Sequence, residues 1–241
     1  MSASGTEPLS RTGIVAAAVL PILVHAHYRA VFTTPLVFGV LFALGVLAAA
    51  IWRRGVTGKP LGAAAATVFG VLYVSVPLCY GYALRNHDYA VGRAAGTAVI
   101  MLPVLLTWAS DIGAYAVGRM MGRRKLIPSV SPGKTVEGAL GALVTTVLVA
   151  VLYERFLLRP YAQLAIAPWW AALFGLVVSV AAQVGDLAES LLKREAGVKD
   201  SSHLLPGHGG ILDRFDSLFF VLPVSYLLLG WLMLPAPGAG R

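Results

Sequence analysis

Charged residues are scarce in this chain of 241 residues. Asp, Glu, Lys and Arg together make up 12% of it, and 58% of the residues are hydrophobic, whereas a soluble domain carries roughly 25% charged residues. So few charges could not solvate the whole surface in water. The apolar residues also form runs of about 20, the length that crosses roughly 30 Å of hydrocarbon. These features exclude an ordinary soluble domain and indicate an all-α, polytopic bundle of transmembrane helices.

Cysteine and acidic residues are also rare. The single cysteine, Cys79, lies in an apolar run, which excludes an intramolecular disulfide and a cysteine-based zinc site. Only 11 residues are acidic against 19 Lys and Arg, giving a formal net charge of +8. This excess does not indicate nucleic-acid binding, because the basic residues lie in short segments between apolar runs rather than in an aromatic-interleaved patch. Orientation in the membrane explains it better.

The apolar runs predict seven helices, with a range of six to nine, at residues 13–28, 31–52, 61–84, 91–117, 137–157, 162–184 and 217–234. The fourth run contains Pro103 and Asp111 and could be two broken pieces. The first run is interpreted as an uncleaved helix, since the residues that follow it make a poor signal-peptide cleavage site. We divide the chain into N-terminal transmembrane helices, 1–110, and a catalytic membrane region, 111–241, with motif loops at 119–136 and 185–216.

The distribution of basic residues predicts the orientation of these helices. Of the 19 Lys and Arg residues, 13 fall on one of the two alternating sets of loops and termini. The set richer in Lys and Arg is usually cytoplasmic. We therefore expect a multi-pass protein of the cell (inner) membrane with a cytoplasmic N-terminus. Both motif loops, and hence the active site, are then expected on the cytoplasmic side.

The few carboxylates are concentrated near the two motif loops. Eight of the 11 acidic residues lie inside or beside them, and Asp111 and Asp186 lie within or at the edge of apolar runs. An ionisable residue there costs several kcal/mol and is by default a functional candidate that faces the protein interior. The alternative for either aspartate is a structural ion pair with Arg119 or Lys193.

The first loop contains hydroxyls, a flexible backbone and a lysine just before an apolar helix, in the segment 131–138, Ser-Pro-Gly-Lys-Thr-Val-Glu-Gly. Backbone N–H groups and the helix dipole attract anions at such a position, and Lys134 adds a point charge. Ser131 and Thr135 could donate hydrogen bonds to the same phosphate. The alternative is an ordinary helix start with a solvated lysine. The segment is not a Walker A loop, because Pro128 stands where the first glycine is required.

The second loop is denser in charge. If residues 182–194 are helical, Asp186, Ser190 and Lys193 share one face, and Asp213 and Asp216 can share another. The aspartates offer hard oxygen ligands of the kind that hold Mg²⁺ through substrate phosphates. We assign Asp186 and Asp213 as the leading metal ligands, with Asp216 and Asp111 as further candidates. A triphosphate would be neutralised by basic residues of both loops, namely Lys134, Lys193, Arg194, Lys199 and Arg214. For any single residue, a solvated face or a helix-end salt bridge is the competing interpretation.

The second loop resembles the signature of the phosphatidate cytidylyltransferase family. The match runs without a gap from Ser190 to Asp216 through Lys193-Arg194, Lys199-Asp200 and the segment 205–216, Leu-Pro-Gly-His-Gly-Gly-Ile-Leu-Asp-Arg-Phe-Asp. The family is also similar to this chain in an Asp-x-x-Ala-Tyr-x-x-Gly segment, here 111–118, and in a Ser-Pro-Lys-Lys-Thr-x-Glu-Gly loop, here 131–138. Gly133 replaces the second lysine of that loop.

The resemblance implies that CTP reacts with phosphatidic acid to give CDP-diacylglycerol and pyrophosphate, a step of phospholipid biosynthesis. It also implies a requirement for Mg²⁺, and a homodimer is consistent with it. The expected catalytic residues are Asp186, Lys193, Asp213, Arg214 and Asp216. Expected substrate-binding residues are Ser131, Lys134, Thr135, Arg194, Lys199, His208, Gly209 and Gly210, with His208 either a phosphate ligand or a turn residue. The alternatives are a CTP-dependent kinase or cytidylyltransferase for another membrane lipid, such as a polyprenol or ether lipid, and, from a different class, an anion transporter.

Overall fold

The structure is a computed structural model that describes residues 7–29, 37–87, 92–202 and 210–232. Its α-helices in these ranges are Ser10–Tyr28 (α1), Val37–Arg54 (α2), Pro60–Arg85 (α3), Gly92–Met121 (α4), Val136–Tyr153 (α5), Pro168–Glu195 (α6), Leu212–Phe215 (α7) and Leu218–Leu232 (α8). Five helical segments there are long and apolar enough to cross a membrane, namely α1, α3, α4, Val136–Ala162 and α6. The chain is therefore an all-α polytopic membrane protein, as predicted.

The fourth helix is continuous, although its sequence allowed two broken pieces. Helix α4 runs for 30 residues through Pro103. The Thr107 hydroxyl donates a hydrogen bond to the Pro103 carbonyl at 2.9 Å, and both residues are buried. This bond does not replace the one that the proline removes, whose acceptor would be the Val99 carbonyl. Membrane helices tolerate an internal proline because surrounding groups can satisfy such a freed carbonyl.

Two other helices end later than their hydropathy predicts. After Tyr153, α5 passes into a π-helix, Glu154–Ala162, in which the buried Glu154 carboxylate pairs with Arg159 at 3.0 Å. Helix α6 continues from Val184 to Glu195. The expectation that the second motif loop starts at 185 was therefore wrong for its first residues, although residues 182–194 are helical as supposed. A further difference is a β-hairpin in the first motif loop, with strands Lys125–Ile127 (β1) and Ser131–Thr135 (β2) paired antiparallel.

The chain forms two compact units, of which the first comprises Met1–Tyr82 with Glu195–Val198. Its described core includes Leu9, Val46, Ala50 and Ala64. The segment before α1 is fixed to α3, because the Leu9 N–H donates to the Thr67 hydroxyl at 2.8 Å. The residues assigned to chemistry from the sequence lie outside this unit.

The second unit comprises Ala83–Arg194 and Lys199–Arg241, and its central feature is the close packing of α4 along α5. Glycines line this contact. A Cβ atom added to Gly141 would lie 2.5 Å from Cβ of Val117, and one added to Gly138 would lie 2.7 Å from the Ala114 carbonyl oxygen. Small residues let membrane helices approach closely in this way. The contact brings the start of α5 against the last third of α4.

Helix α6 packs against this pair and completes the frame of the site. Ser110 of α4 and Ser179 of α6 share a buried hydrogen bond of 3.1 Å. Gly185 admits the chain that precedes α8, since a Cβ there would lie 2.9 Å from the Asp216 carbonyl oxygen. Asp186, the next residue of α6, is thereby placed beside Asp216.

Candidate active site

The β-hairpin and the first turn of α5 hold Lys134. The Thr135 hydroxyl caps α5 by accepting the Gly138 N–H at 3.1 Å, and the Val136 N–H donates to the Arg124 carbonyl at 2.9 Å. The Glu137 carboxylate accepts the N–H groups of Arg123, at 3.0 Å, and Arg124, at 3.1 Å. Two of the N–H groups in the first turn of α5, those of Val136 and Gly138, thus already have protein acceptors, which leaves the Lys134 charge and the helix dipole as the main attraction that this helix start offers to an anion.

Lys134 reaches across to α6 and forms an ion pair with Asp186, with Nζ at 2.5 Å from the carboxylate. Both residues line a cavity of about 510 Å³ together with Asp111 of α4. Its other lining residues include Ser110, Tyr115, Arg119, Thr135, Gly138 and Gln183. The structure therefore brings four of the predicted site residues to a single cavity: Asp111 from α4, Asp186 from α6, and Lys134 and Thr135 from the hairpin. The partner of Asp186 is Lys134 rather than Arg119 or Lys193.

A second cluster lies between the C-terminal end of α6 and the segment before α8. Lys193 Nζ contacts Asp213 Oδ1 at 2.7 Å and Glu189 Oε2 at 2.5 Å. The other oxygen of Asp213, Oδ2, accepts the Ser201 N–H at 3.0 Å, the Ser201 hydroxyl at 2.6 Å and the Gly210 N–H at 2.7 Å. Partial burial of the Asp213 carboxyl raises its pKa, but the hydrogen bonds from Lys193, Ser201 and Gly210 have the larger combined effect and hold this pKa well below its usual range. These contacts favour the ionised carboxylate of Asp213.

Asp216 lies between the two clusters. Its carboxylate accepts the N–H of Ser217 at 2.5 Å. Burial, followed by the negative charge of Asp186, raises its pKa, while the Lys193 ammonium opposes the shift. Ser190, one turn after Asp186 on α6, donates its hydroxyl to the Asp186 carboxylate at 3.4 Å. The two clusters are therefore neighbouring parts of one polar region at the ends of α4 and α6.

The remaining predicted site residues lie around this region or outside the described ranges. Arg194 is exposed, and its Nε donates to the Val130 carbonyl at 3.4 Å. Lys199 and Arg214 are also exposed, whereas Ser131 is half-buried. Gly210 is buried, and its lack of a side chain lets the loop pack closely, because a Cβ there would collide with the Ser201 hydroxyl. The predictions for His208 and Gly209 fall outside the described residues.

With the site described, its motifs can be compared with known proteins. The model of the cytidylyltransferase family matches residues 3–232, and so covers the hairpin, the cavity and both charge clusters. This chain belongs to the cytidylyltransferase family.

Three curated relatives of this chain carry the name phosphatidate cytidylyltransferase. The protein of Staphylococcus epidermidis is 42% identical over 166 residues, which is 69% of this chain and 59% of the relative. That of Bacillus subtilis is 44% identical over 158 residues, 66% of this chain and 55% of the relative. That of Staphylococcus aureus is 41% identical over 168 residues, 69% and 59% respectively. The match thus spans less than three fifths of the length of each relative.

The donor set of the site fits a magnesium ion that would be held partly by substrate phosphates. In the described ranges, no three His, Cys, Asp or Glu residues lie close enough to form a metal site on their own. Mg²⁺ is commonly bound by one or two carboxylates together with substrate phosphates. Asp186 and Asp213 each already bind a cationic side chain. Both carboxylates therefore lie where positive charge is favoured.

Several residues of this region were missed by reasoning from the sequence. Glu189 is the most prominent, because it is fully buried and contacts Lys193. Its spacing of four residues from Lys193 was the signal that could have found it. Tyr115 and Arg119 show the same spacing after Asp111, and the Tyr115 hydroxyl accepts a hydrogen bond from Arg119 at 2.8 Å. Gln183 and Ser201 carried no comparable signal, since their places depend on contacts between distant segments.

Proposed function

We propose that this protein is a phosphatidate cytidylyltransferase, which joins the cytidylyl group of CTP to the phosphate of phosphatidic acid. The observation that carries the proposal is the Lys134–Asp186 ion pair in the cavity that Asp111 also lines. Such a cavity offers both a cation for phosphate and carboxylates for a phosphate-bound metal. The names of the relatives supply the substrate class.

The chemistry suits a site without a strong base. A phosphate oxygen of phosphatidic acid, already anionic, attacks the α-phosphorus of CTP. As that P–O bond forms, the bond to the β-phosphate oxygen breaks, and pyrophosphate leaves with the bonding electron pair. No proton has to be removed from the nucleophile. Catalysis then rests on alignment for in-line attack and on stabilisation of the charge that develops on the leaving group.

The residues of the two clusters divide these tasks. Lys134 and Lys193 bind phosphate oxygens and balance their charge, with Arg194, Lys199 and Arg214 as further cations at the rim. Thr135 has a hydroxyl hydrogen left to donate, because its oxygen acts as acceptor in the α5 cap. Ser131 is a second candidate donor from the same hairpin.

Asp186 and Asp213 are the residues that we propose to hold Mg²⁺, with Asp216 and Asp111 as further ligands. The ion, when bound, neutralises the phosphates and stabilises the leaving group. Asp213 needs no deprotonation for this role, since its carboxylate is ionised far below neutral pH. Because CTP is a cytoplasmic metabolite, the site faces the cytoplasmic side of the cell membrane in this proposal.

The experiment is a direct assay of the purified protein in detergent with CTP, Mg²⁺ and phosphatidic acid. Formation of both CDP-diacylglycerol and pyrophosphate is expected, and neither product should form without the lipid. Turnover of a polyprenol or an ether lipid but not of phosphatidic acid would assign the chain to another lipid substrate. Binding of CTP without pyrophosphate release from any of these lipids would contradict the proposal.

A further inference from the structure

Glu189 is a buried carboxylate to which the proposed reaction gives no part. It lies on α6, with 0% of its surface exposed. Within the described residues, neither of its oxygens accepts a hydrogen bond of regular geometry. The Lys193 ammonium, 2.5 Å from Oε2, is the contact that balances its charge. A buried carboxylate is costly unless it is paired, so the place of Glu189 depends on Lys193.

Lys193 lies between two carboxylates of different depth. Glu189 approaches it from the protein interior, with 1% of its side chain exposed, and Asp213 approaches from the loop side with 12% exposed. The Lys193 side chain itself is 18% exposed. A lysine carries its charge on a flexible four-carbon stem, and two fixed carboxylates restrict that charge to one point. The ammonium has three N–H donors, so a third remains for an anion on the exposed side.

Glu189 itself is too deep to contact a substrate. Its spacing of four residues before Lys193 on one helix is the favourable orientation for such a pair. The Glu189–Lys193 ion pair therefore does not depend on α7, which carries Asp213. Whenever Asp213 exchanges Lys193 for another partner, Glu189 can still retain the ammonium.

We propose that Glu189 is a positioning residue, which fixes the Lys193 ammonium beside Asp213 so that Lys193 can hold a phosphate group of the substrate. This inference rests on the proposed function, because it takes Lys193 as a phosphate-binding residue.

The test is a double-mutant cycle on the full-length protein with the variants Glu189→Gln, Lys193→Met and the two combined. Glu195→Gln, at the exposed end of the same helix, is the control for loss of a carboxylate. Glu189→Gln should keep the fold and lower kcat by about 10- to 100-fold, a range typical for misplacement of a catalytic group. Its KM should change less. The control should retain the kcat, KM and Tm of the parent.

Lys193→Met leaves the Glu189 carboxylate buried and unpaired, so its Tm should fall, by roughly 10 °C. In the double variant Tm should recover, because the unpaired charge is gone. Its activity should stay as low as that of Lys193→Met, because Glu189 acts only through Lys193. Recovery of Tm without recovery of activity is the signature of a positioning role.

Two outcomes would overturn the proposal. One is a Glu189→Gln variant with the kcat and KM of the parent. The other is a double variant whose activity falls below that of Lys193→Met by the full factor seen for Glu189→Gln alone, since the two residues would then act independently.

If the parent protein does not convert phosphatidic acid, the proposed function is contradicted, but the positioning role of Glu189 is not. The positioning role of Glu189 is then tested by measuring how far pyrophosphate with Mg²⁺ raises the Tm of the parent and of each variant, since binding of a ligand to the folded state raises Tm. Glu189→Gln should reduce this rise in part, Lys193→Met and the double variant should reduce it further and equally, and Glu195→Gln should keep it. A Glu189→Gln variant that keeps the full rise would overturn the positioning role.

Discussion

The Lys134 ammonium lies 2.5 Å from the carboxylate of Asp186, and this contact joins the hairpin before α5 to the last third of α6. About a quarter of the lysine side chain and a third of the aspartate side chain remain exposed, 26% and 33% respectively. An ion pair this open to solvent contributes at most about 1 kcal/mol to stability. The Lys134–Asp186 pair therefore contributes little to stability, and we expect its main role to be the charge that each partner can offer to a ligand.

Replacement of Lys134 should separate binding from folding. We expect Lys134→Met to lower kcat/KM by about 10²-fold or more, because a charge that stabilises the transition state is lost. Its Tm should stay within about 4 °C of the parent. The measurement is pyrophosphate release together with thermal unfolding. Lys125→Met, an exposed lysine of the same hairpin, is the matched control and should be near-normal. Equal losses in both variants would mean that only the general positive charge of the hairpin matters.

The two leading aspartates should respond to metal, unlike the lysines. Asp186→Asn and Asp213→Asn keep the side-chain size but remove the charge that would bind Mg²⁺, so kcat should fall by about 10²-fold or more. Excess Mg²⁺ or Mn²⁺ should restore part of this loss, whereas Lys134→Met should show no such rescue. The measurement is initial rate against metal concentration. Near-parent activity of both folded variants at low Mg²⁺ would make these carboxylates structural partners of Lys134 and Lys193.

The helix contact behind the site should tolerate no added volume. In Gly141→Ala, the new methyl group would lie 2.5 Å from Cβ of Val117, so we expect a loss of roughly 1–3 kcal/mol in stability. Thermal unfolding and the yield of folded protein measure this. Gly230→Ala in α8 is the control, because its methyl group would meet nothing within 4 Å. A Gly141→Ala variant as stable as Gly230→Ala would show that α4 and α5 can separate freely.

The orientation predicted from the basic residues can be measured with single cysteines. In a Cys79→Ser background, cysteines at Ser129 and Ser202, both exposed, should react with impermeant thiol reagents only from the cytoplasmic side. Labelling is compared between intact cells and inverted membrane vesicles. Reaction of either cysteine in intact cells would contradict the predicted orientation, and with it the access of CTP to the site.

Seven of the eight α-helices in the described residues, all except the short α7, correspond to predicted apolar runs, but the ends of the helices could not be predicted. A long apolar run predicts a helix because only a helix satisfies its own backbone in lipid. Hydropathy, however, reports where a helix leaves the apolar region and not where its hydrogen bonds stop. Helix α6 therefore continues past Val184 to Glu195. The hairpin at 125–135 gave no signal either, since its strands are short, Pro128 follows the first and Pro132 lies within the second.

The kinds of residue in the site could be predicted, but not their partners. Carboxylates and lysines stood out because ionisable groups are rare and costly in such a chain. Which of them meet depends on the distance between helices, and Lys134 and Asp186 are 52 positions apart in the sequence. The Glu189–Lys193 pair is different, because both residues lie on one helix. The i, i+4 spacing of Glu189 and Lys193 could have predicted this pair from the sequence. Only the structure shows that Glu189 is buried and that the pair does not lie on an exposed surface.

Glycine at positions 138 and 141 has a consequence for how this cavity can change. The spacing between α4 and the start of α5 is set where Gly138 meets the Ala114 carbonyl and Gly141 meets Val117, two positions that contribute no side chain to that contact. A single extra carbon there would push the two helices apart and move Asp111 away from Lys134 without altering either residue. The width of the pocket is therefore encoded at positions that carry no charge, and a homologue could acquire a wider pocket through one such substitution while every charged residue stayed the same.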